Sequence, residues 1–422
     1  MTYNRTDLGS GIGFTSIIDS KFKTCSIAVY FLTELSVETA ALNNLATSIL
    51  TVSNSKYRTY SALSEKLSEL YGAGLSSSTR KKGDAQTLCI KASWLDNKYA
   101  IDGEDISGEM KELLKDCLFA PNAKNGAFDE ESFRIVQKDL LDNISSELND
   151  KRTYALMQSA KTAYRGEPAA TSSYGVREAA LAAEPTDTYR AYNELLRNAQ
   201  IEIYYVSPEK DDSFAEMFRE SFKAIKREPQ TVVFRNHSPL KPEIETVSEE
   251  FDVNQCKAVL AFKTDSDDKY ALKMLSIIYG EMPFSKLFLN VREKLSLCYY
   301  CTSSSVSVKG SFFVDIGVER ANIEKAKAEI LAQLEEIKNG NITDEELTSS
   351  IMALDNAVLQ IGDTPSSYVG WYFDCFCDKD FITPEEHFKR FTEVTKERII
   401  QAARSLHPDS IYLMLSKEVQ TQ

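Results

Sequence analysis

The chain repeats itself once, and nothing else in it constrains the fold as strongly. Cys25-Ser-Ile-Ala-Val-Tyr-Phe31 is answered by Cys256-Lys-Ala-Val-Leu-Ala-Phe262, an offset of 231 residues. Glu65-Lys-Leu-Ser68 returns as Glu293-Lys-Leu-Ser296, an offset of 228. Glu184 to Ser207 runs parallel to Glu393 to Ser416, with Thr186 matching Thr395 and an apolar strand closing each segment. Each match is short, and their shared order carries the argument. The offset falls to 209 at the end, so the first half holds about 20 more residues.

Each half reads as strand, helix, helix, strands, helices and a last strand. Leu42, Leu45, Ala46, Ile49 and Leu50 recur at helical spacing, as do Leu63, Leu67, Leu70 and Tyr71. The second half answers with Phe284, Leu287, Phe288, Val291 and Leu295. A helix from Ile323 to Lys338 ends before Gly340, a C′ glycine. Thr343-Asp-Glu-Glu346 predicts a capping box for the next helix. Leu88–Trp94, Leu297–Val308 and Ser311–Val318 are rich in β-branched and aromatic residues and predict strands. The fold class is therefore α+β: two homologous domains, each a mainly antiparallel sheet covered by helices. The domains are expected at 1–225 and 247–422. A linker over 226–246 holds Pro229, Pro239 and Pro242.

Lys and Arg number 49 against 63 Asp and Glu, a net charge of −14. A nucleic-acid or anionic-membrane partner needs a positive field, so neither is expected. No stretch approaches the ~20 apolar residues of a membrane span. Met1 to Ser20 lacks a basic segment followed by an apolar run. A cytoplasmic protein is expected, with its eight cysteines mostly reduced.

The three histidines, His237, His387 and His407, are scattered. Thr383-Pro-Glu-Glu-His387 has the tail of an H-x-x-E-H site but lacks the first His. A capped helix start explains it. Cys298-Tyr-Tyr-Cys301 lies on a predicted strand, where residues three apart point to opposite faces. Both are therefore expected as small core side chains, as are Cys375 and Cys377. No phosphate-binding loop, dinucleotide fingerprint or G-x-S-x-G elbow is present.

One segment carries a resemblance. Phe284-Ser-Lys-Leu-Phe-Leu-Asn-Val-Arg292-Glu-Lys-Leu-Ser-Leu-Cys-Tyr299 is similar to the second-domain signature of the insulinase/pitrilysin metallopeptidases. There a helix ends in Arg-Glu-Lys and leads, seven residues after the Arg, to a strand Tyr. Gly310 to Gly317, Asp363-Thr-Pro365 and Val394 to Arg398 also resemble that family. The resemblance covers essentially the whole chain. It implies two homologous domains around a peptide-binding chamber. The first domain of such an enzyme carries H-x-x-E-H and a distal Glu as zinc ligands. The second supplies the Arg and Tyr that contact substrate and the developing oxyanion.

The chain departs from the family where the metal should sit. Ser53-Asn-Ser-Lys-Tyr57 resembles the turn after the zinc helix, which puts the motif on Asn44, Thr47 and Ser48. The distal Glu falls near Asn143–Ile144. Residues 1–236 contain no histidine. Zinc is therefore expected in a partner and not in this chain. The pattern is similar to paired bacterial insulinase-like proteins. Its Glu69-Leu-Tyr-Gly-Ala73 stretch resembles the zinc-lacking members named as elongation-factor-P modification-associated. The leading expectation is a non-catalytic subunit that gives Arg292 and Tyr299 in trans to an H-x-x-E-H-bearing homologue acting on a peptide. The rivals are a scaffold or peptide-binding protein without catalytic contribution, and an independent thiol or metal protein using Cys298 and Cys301. Tyr300 competes with Tyr299 if the strand begins one residue later.

Overall fold

The computed structural model describes residues 1–417; the last five residues of the expected second domain lie outside them. Two sheets organise the chain. The first contains β1 (Thr2–Gly9), β2 (Ile12–Ile18), β3 (Thr24–Glu34), β4 (Gly74–Lys82), β5 (Ala85–Leu95) and β6 (Gln200–Ser207), in the order β1-β2-β6-β3-β5-β4. The second contains β7 (Glu245–Phe251), β8 (Cys256–Lys263), β9 (Cys298–Val306), β10 (Ser311–Val318) and β11 (His407–Ser416), in the order β9-β10-β8-β11-β7.

The repeated sequences occupy equivalent strands. Cys25 to Phe31 lies in β3 and Cys256 to Phe262 in β8, each central and antiparallel to both neighbours. Each sheet has one parallel pair, β2 with β6 and β7 with β11. The helix Pro185–Asn198 feeds β6 as the helix Lys396–Arg404 feeds β11. The first half's additional strand, β1, extends its sheet by one antiparallel pairing.

Contacts divide the chain into two compact units, and each takes a helix from the other half of the sequence. Unit one holds 1–145, 171–234 and 361–380; unit two holds 146–170, 235–360 and 381–422. One face of the first sheet packs Ile27, Val29, Phe31, Ile90 and Trp94 against helices of its own half. Its other face packs Ala28, Leu32, Cys89 and Tyr204 against Tyr368, Tyr372 and Phe373 of the helix Pro365–Asp378. The second sheet does the same. Ala258, Leu260, Val314 and Ile316 face one core, while Val259, Ala261 and Phe313 meet Ala155 and Tyr164 of the segment 151–170. This double cover explains why β10 is buried at every position.

Helix starts follow their sequence signals. Thr343 with Glu346 and Thr383 with Glu386 form reciprocal capping boxes. Gly340 has φ +90°, the conformation that ends the helix Ile323–Lys338. The apolar face from Leu287 differs from its prediction, because Leu287–Lys294 is a π-helix. Leu287 and Val291, four apart, are its buried residues, and Leu289 stands exposed. The i→i+5 hydrogen bond from Leu295 N to Asn290 O, 3.1 Å, closes it.

Candidate functional site

Asn44, Thr47 and Ser48 lie on the helix Ala40–Ser48, held against the first sheet by Ala41, Leu45 and Ala46. Its polar side chains are matched, and Asn43, Asn44 and Thr47 are buried while Ser48 is partly exposed. Asn44 Nδ2 donates to Thr79 Oγ1 at 2.7 Å, and Asn43 Nδ2 donates to Gln86 Oε1 at 3.0 Å. The Thr47 hydroxyl donates back into its own helix, to Asn43 O at 3.0 Å. Ser77 Oγ of β4 donates to Ser48 Oγ at 3.2 Å, a pair in which either hydroxyl can serve as donor. The helix then gives way to a 3-10 turn at Ile49–Thr51. Beyond it Asn54 Oδ1 accepts from Lys56 N and Tyr57 N at 3.0 and 2.7 Å, an Asx turn built from the Ser53–Tyr57 stretch.

A cavity of about 250 Å³ opens beside this helix. Asn44 and Ser48 line it, with Ser77, Asp139, Asn143 and Tyr174. Asn143 comes from the helix Glu130–Ser146, so two of the positions expected for the motif and the one expected for the distal ligand line one cavity. Thr47 is not among its lining residues. Amides and hydroxyls are poor zinc donors, and a zinc site takes its ligands from imidazole, thiolate and carboxylate. Asp139 is the lone carboxylate of the lining, and the Asn44 amide is already engaged by Thr79. These residues do not fit a zinc ion. Among the described residues no cluster of three His, Cys, Asp or Glu is placed to hold a metal. Asp139 and Ser77 were not singled out in the sequence. Asp139 precedes Asn143 by one helical turn, a spacing that places both on one face.

Arg292 sits near the C-terminal end of the π-helix, its guanidinium 4.6 Å from the Phe288 ring centroid and half exposed. Glu293 lies 3.7 Å from its Nε. The chain then turns through Ser296, which has φ +50°, while Leu297 N donates to Val291 O at 3.1 Å. This fold-back sets the start of β9 beside Arg292, whose charge reaches the Cys298 thiol.

The register of β9 is the decisive local feature. Cys298 pairs with Val318, but Tyr300 pairs with Gly317 and Cys301 with Ile316. Tyr299 is the extra residue of a β-bulge. Tyr299 is 65 % exposed, and its hydroxyl makes no hydrogen bond among the described residues. Tyr300 is covered instead. The guanidinium of Arg152 lies 4.6 Å from its ring centroid and Lys257 Nζ 5.2 Å.

The bulge also corrects one expectation. In a regular strand Cys298 and Cys301 would point to opposite faces. Here both pack into the helix-covered core of the second unit, Cys301 buried and Cys298 at its margin. The Cys301 thiol, acting as hydrogen-bond donor, draws the Cys298 thiol below its ordinary range. Burial opposes that shift, and the charge of Arg292 adds to it. Burial raises Cys301 well above its ordinary value.

A family model described as "Peptidase M16 inactive domain" matches residues 183–354. A probable inactive metalloprotease of Bacillus subtilis is 26 % identical over 402 residues, covering 94 % of both chains. The crystal structure of a conserved protein from Enterococcus faecalis V583 superposes with a TM-score of 0.91 at 27 % identity, covering 98 % of this chain and 99 % of that one. The crystal structure of a peptidase M16 inactive domain from Pseudomonas fluorescens matches with a TM-score of 0.80 at 16 % identity over all of both chains.

Proposed function

The chain is an insulinase-like protein of the peptidase M16 family, of the inactive kind, and from that premise we propose that it is the non-catalytic subunit of a heterodimeric zinc peptidase. In this reading it gives Arg292 and Tyr299 in trans to a homologue that carries H-x-x-E-H. The observation that carries the reading is Tyr299 itself: a 65 % exposed phenol on a bulge, with no hydrogen-bond partner among the described residues. A bulge re-aims a side chain out of the pleat, and such irregularities concentrate beside active sites. Strand pairing alone gives no reason to hold a large aromatic in water there.

The partner would supply the metal's polarising chemistry. Two groups of this chain would act on the substrate. The Tyr299 hydroxyl would donate to the oxygen on which negative charge develops, a bond that strengthens as the charge forms. The Arg292 guanidinium, steadied by the Phe288 ring, would present its planar fork to a substrate backbone carbonyl or carboxylate.

A second reading, peptide binding without a catalytic share, is favoured by the first unit. β4 is an edge strand that pairs with β5 alone, and Ser77, Ser78 and Thr79 of that strand line the 250 Å³ cavity. An extended peptide adds to such an edge through main-chain hydrogen bonds.

Affinity purification from the native cell, followed by peptidase assays with and without the captured partner, tests the proposal. A two-domain protein bearing H-x-x-E-H should co-purify at equal stoichiometry. Peptidase activity should require both chains. If sedimentation of the mixed chains at micromolar concentration shows two independent monomers, the paired reading fails.

A further inference from the structure

The β9 bulge does more than present Tyr299. Between Cys298 and Cys301 the strand advances three residues while its partner advances two, from Val318 to Ile316. Two strand steps span about 6.6–6.8 Å, whereas three would span about 10 Å. Disulfides form over Cα separations of roughly 4.4–6.8 Å and fail beyond about 7 Å. The bulge thus brings a C-x-x-C pair that a regular strand would keep about 10 Å apart to the upper edge of that range, and the two thiols are hydrogen-bonded to each other. It also puts both side chains on one face. Val318 and Ile316 belong to the helix-covered core, and their partners Cys298 and Cys301 pack there too.

We propose that Cys298 and Cys301 form a reversible disulfide, with Cys298 as the attacking thiolate and Cys301 as the resolving thiol. The two environments divide those roles. Cys298 is partly exposed and has the Arg292 guanidinium and the Cys301 thiol beside it, both of which favour its thiolate. Cys301 is 4 % exposed, out of reach of a bulky oxidant but next to Cys298. Elsewhere Cys25, Cys89, Cys117 and Cys377 are buried, and that burial pushes each thiol up to about 12. Those four are protected from the same chemistry.

The oxidant is a low-molecular-weight disulfide. The Cys298 thiolate attacks one of its sulfurs, the S–S bond breaks, and one thiolate leaves with the bonding pair and takes up a proton. Cys301 then gives up its proton and attacks Cys298 Sγ, expelling the second thiolate, which is protonated in turn. Two protein thiols are oxidised and one disulfide is reduced to two thiols. The bridge closes a ring around Tyr299 and Tyr300. This site does not depend on the peptidase reading.

The test uses the full chain, reduced, freed of reductant and exposed to oxidised glutathione at neutral pH. Remaining thiols are alkylated and the protein is digested with trypsin. The peptide Leu295–Lys309 holds Cys298 and Cys301 and no other cysteine. It should be recovered two hydrogens lighter and unalkylated, and dithiothreitol should restore it. Cys301→Ser should stop at a glutathione adduct on Cys298. Cys298→Ser should leave Cys301 unmodified. In the reduced wild-type chain, iodoacetamide should label Cys298 at least about tenfold faster than Cys301. A wild-type peptide carrying two alkyl groups, or a stable glutathione adduct without a bridge, overturns the proposal. So does equal labelling of the two cysteines. The wild-type measurements stand even if a variant folds poorly.

Discussion

Arg152 holds Tyr300 and Asp315 at once: its guanidinium stacks 4.6 Å from the Tyr300 ring centroid while Nε donates to Asp315 Oδ2 at 2.6 Å. Arg152 opens the helix Lys151–Ala163, which comes from the first half of the sequence and covers the second sheet. Tyr300 pairs with Gly317, where an added Cβ would fall 2.5 Å from the Tyr300 ring, so the glycine leaves room for the aromatic. This packing spends Tyr300 on structure and leaves Tyr299 to solvent.

The first prediction concerns that anchor. The Asp315 side chain is 5 % exposed, and removing Arg152 leaves its carboxylate buried without its paired cation, with only Lys257 nearby. Arg152→Ala should cost about 1–3 kcal/mol, toward the low end because water reaches the half-exposed Arg152 site. Arg152→Lys should recover part of this, since an ammonium pairs with the carboxylate but cannot stack as a plane. Urea unfolding of the three chains checks both. A loss within a few tenths of a kcal/mol for Arg152→Ala would mean that Asp315 is already hydrated.

Stability should also depend on pH through Asp268. It caps the helix Lys269–Ser276, accepts from Ala271 N at 3.0 Å, and is gripped by Arg398 with two bonds of 2.9 Å. Burial works against its charge, but the Arg398 fork and the Ala271 amide outweigh it and hold the carboxyl below its ordinary value. A carboxyl depressed in the folded state contributes fully above its unfolded value of about 3.9 and loses that contribution as pH falls through the folded value. Asp268→Asn should therefore cost about 1–2 kcal/mol at pH 7. The gap to wild type should close from about pH 4 downward. Thermal or denaturant unfolding at pH 7 and pH 3 measures it, and a gap that stays constant would show that the charge is not the cause.

Much of this molecule was legible before its structure. The duplication was, because strands at equivalent places in two sheets keep the same apolar sequence. Caps such as Thr343 with Glu346 and the N-cap Thr383 were, because their chemistry is local. Asn44, Ser48 and Asn143 line one cavity, but their amides and hydroxyl carry no local signal that would pick them out without the family resemblance. The exchange of helices 151–163 and 365–378 between units was not legible, because both are ordinary amphipathic segments and nothing local says which sheet each covers. The bulge at Tyr299 was equally hidden. It arises from pairing with β10, and Cys-Tyr-Tyr-Cys reads the same in a regular strand.

The third prediction addresses the metal. Asn44, Thr47, Ser48 and Asn143 offer amides and hydroxyls, two of them tied into bonds with Thr79 and the helix backbone. The purified chain, dialysed against zinc and then mild chelator, should retain well under one ion per chain by elemental analysis. One tightly held zinc per chain would require ligands brought together in another arrangement.

The last prediction separates the two tyrosines. A phenol that donates to a developing oxyanion strengthens its bond only as charge forms, so its loss appears in kcat more than in KM. In a complex reconstituted with an H-x-x-E-H partner, Tyr299→Phe should assemble normally, because the exposed hydroxyl bonds to nothing among the described residues. Turnover should fall about 10²–10³-fold, or roughly 2.7–4 kcal/mol. Tyr300→Phe should leave turnover unchanged, since Arg152 stacks on the ring and not on the hydroxyl. Arg292→Ala should raise KM more than it lowers kcat if the guanidinium grips substrate. Arg292→Lys should rescue it poorly for want of the planar fork. Steady-state kinetics on assembled complexes distinguish these outcomes. Full activity in both Tyr299→Phe and Arg292→Ala would favour the peptide-binding reading. Loss confined to Tyr300→Phe would mean that the active register of β9 differs by one residue from the bulge described above.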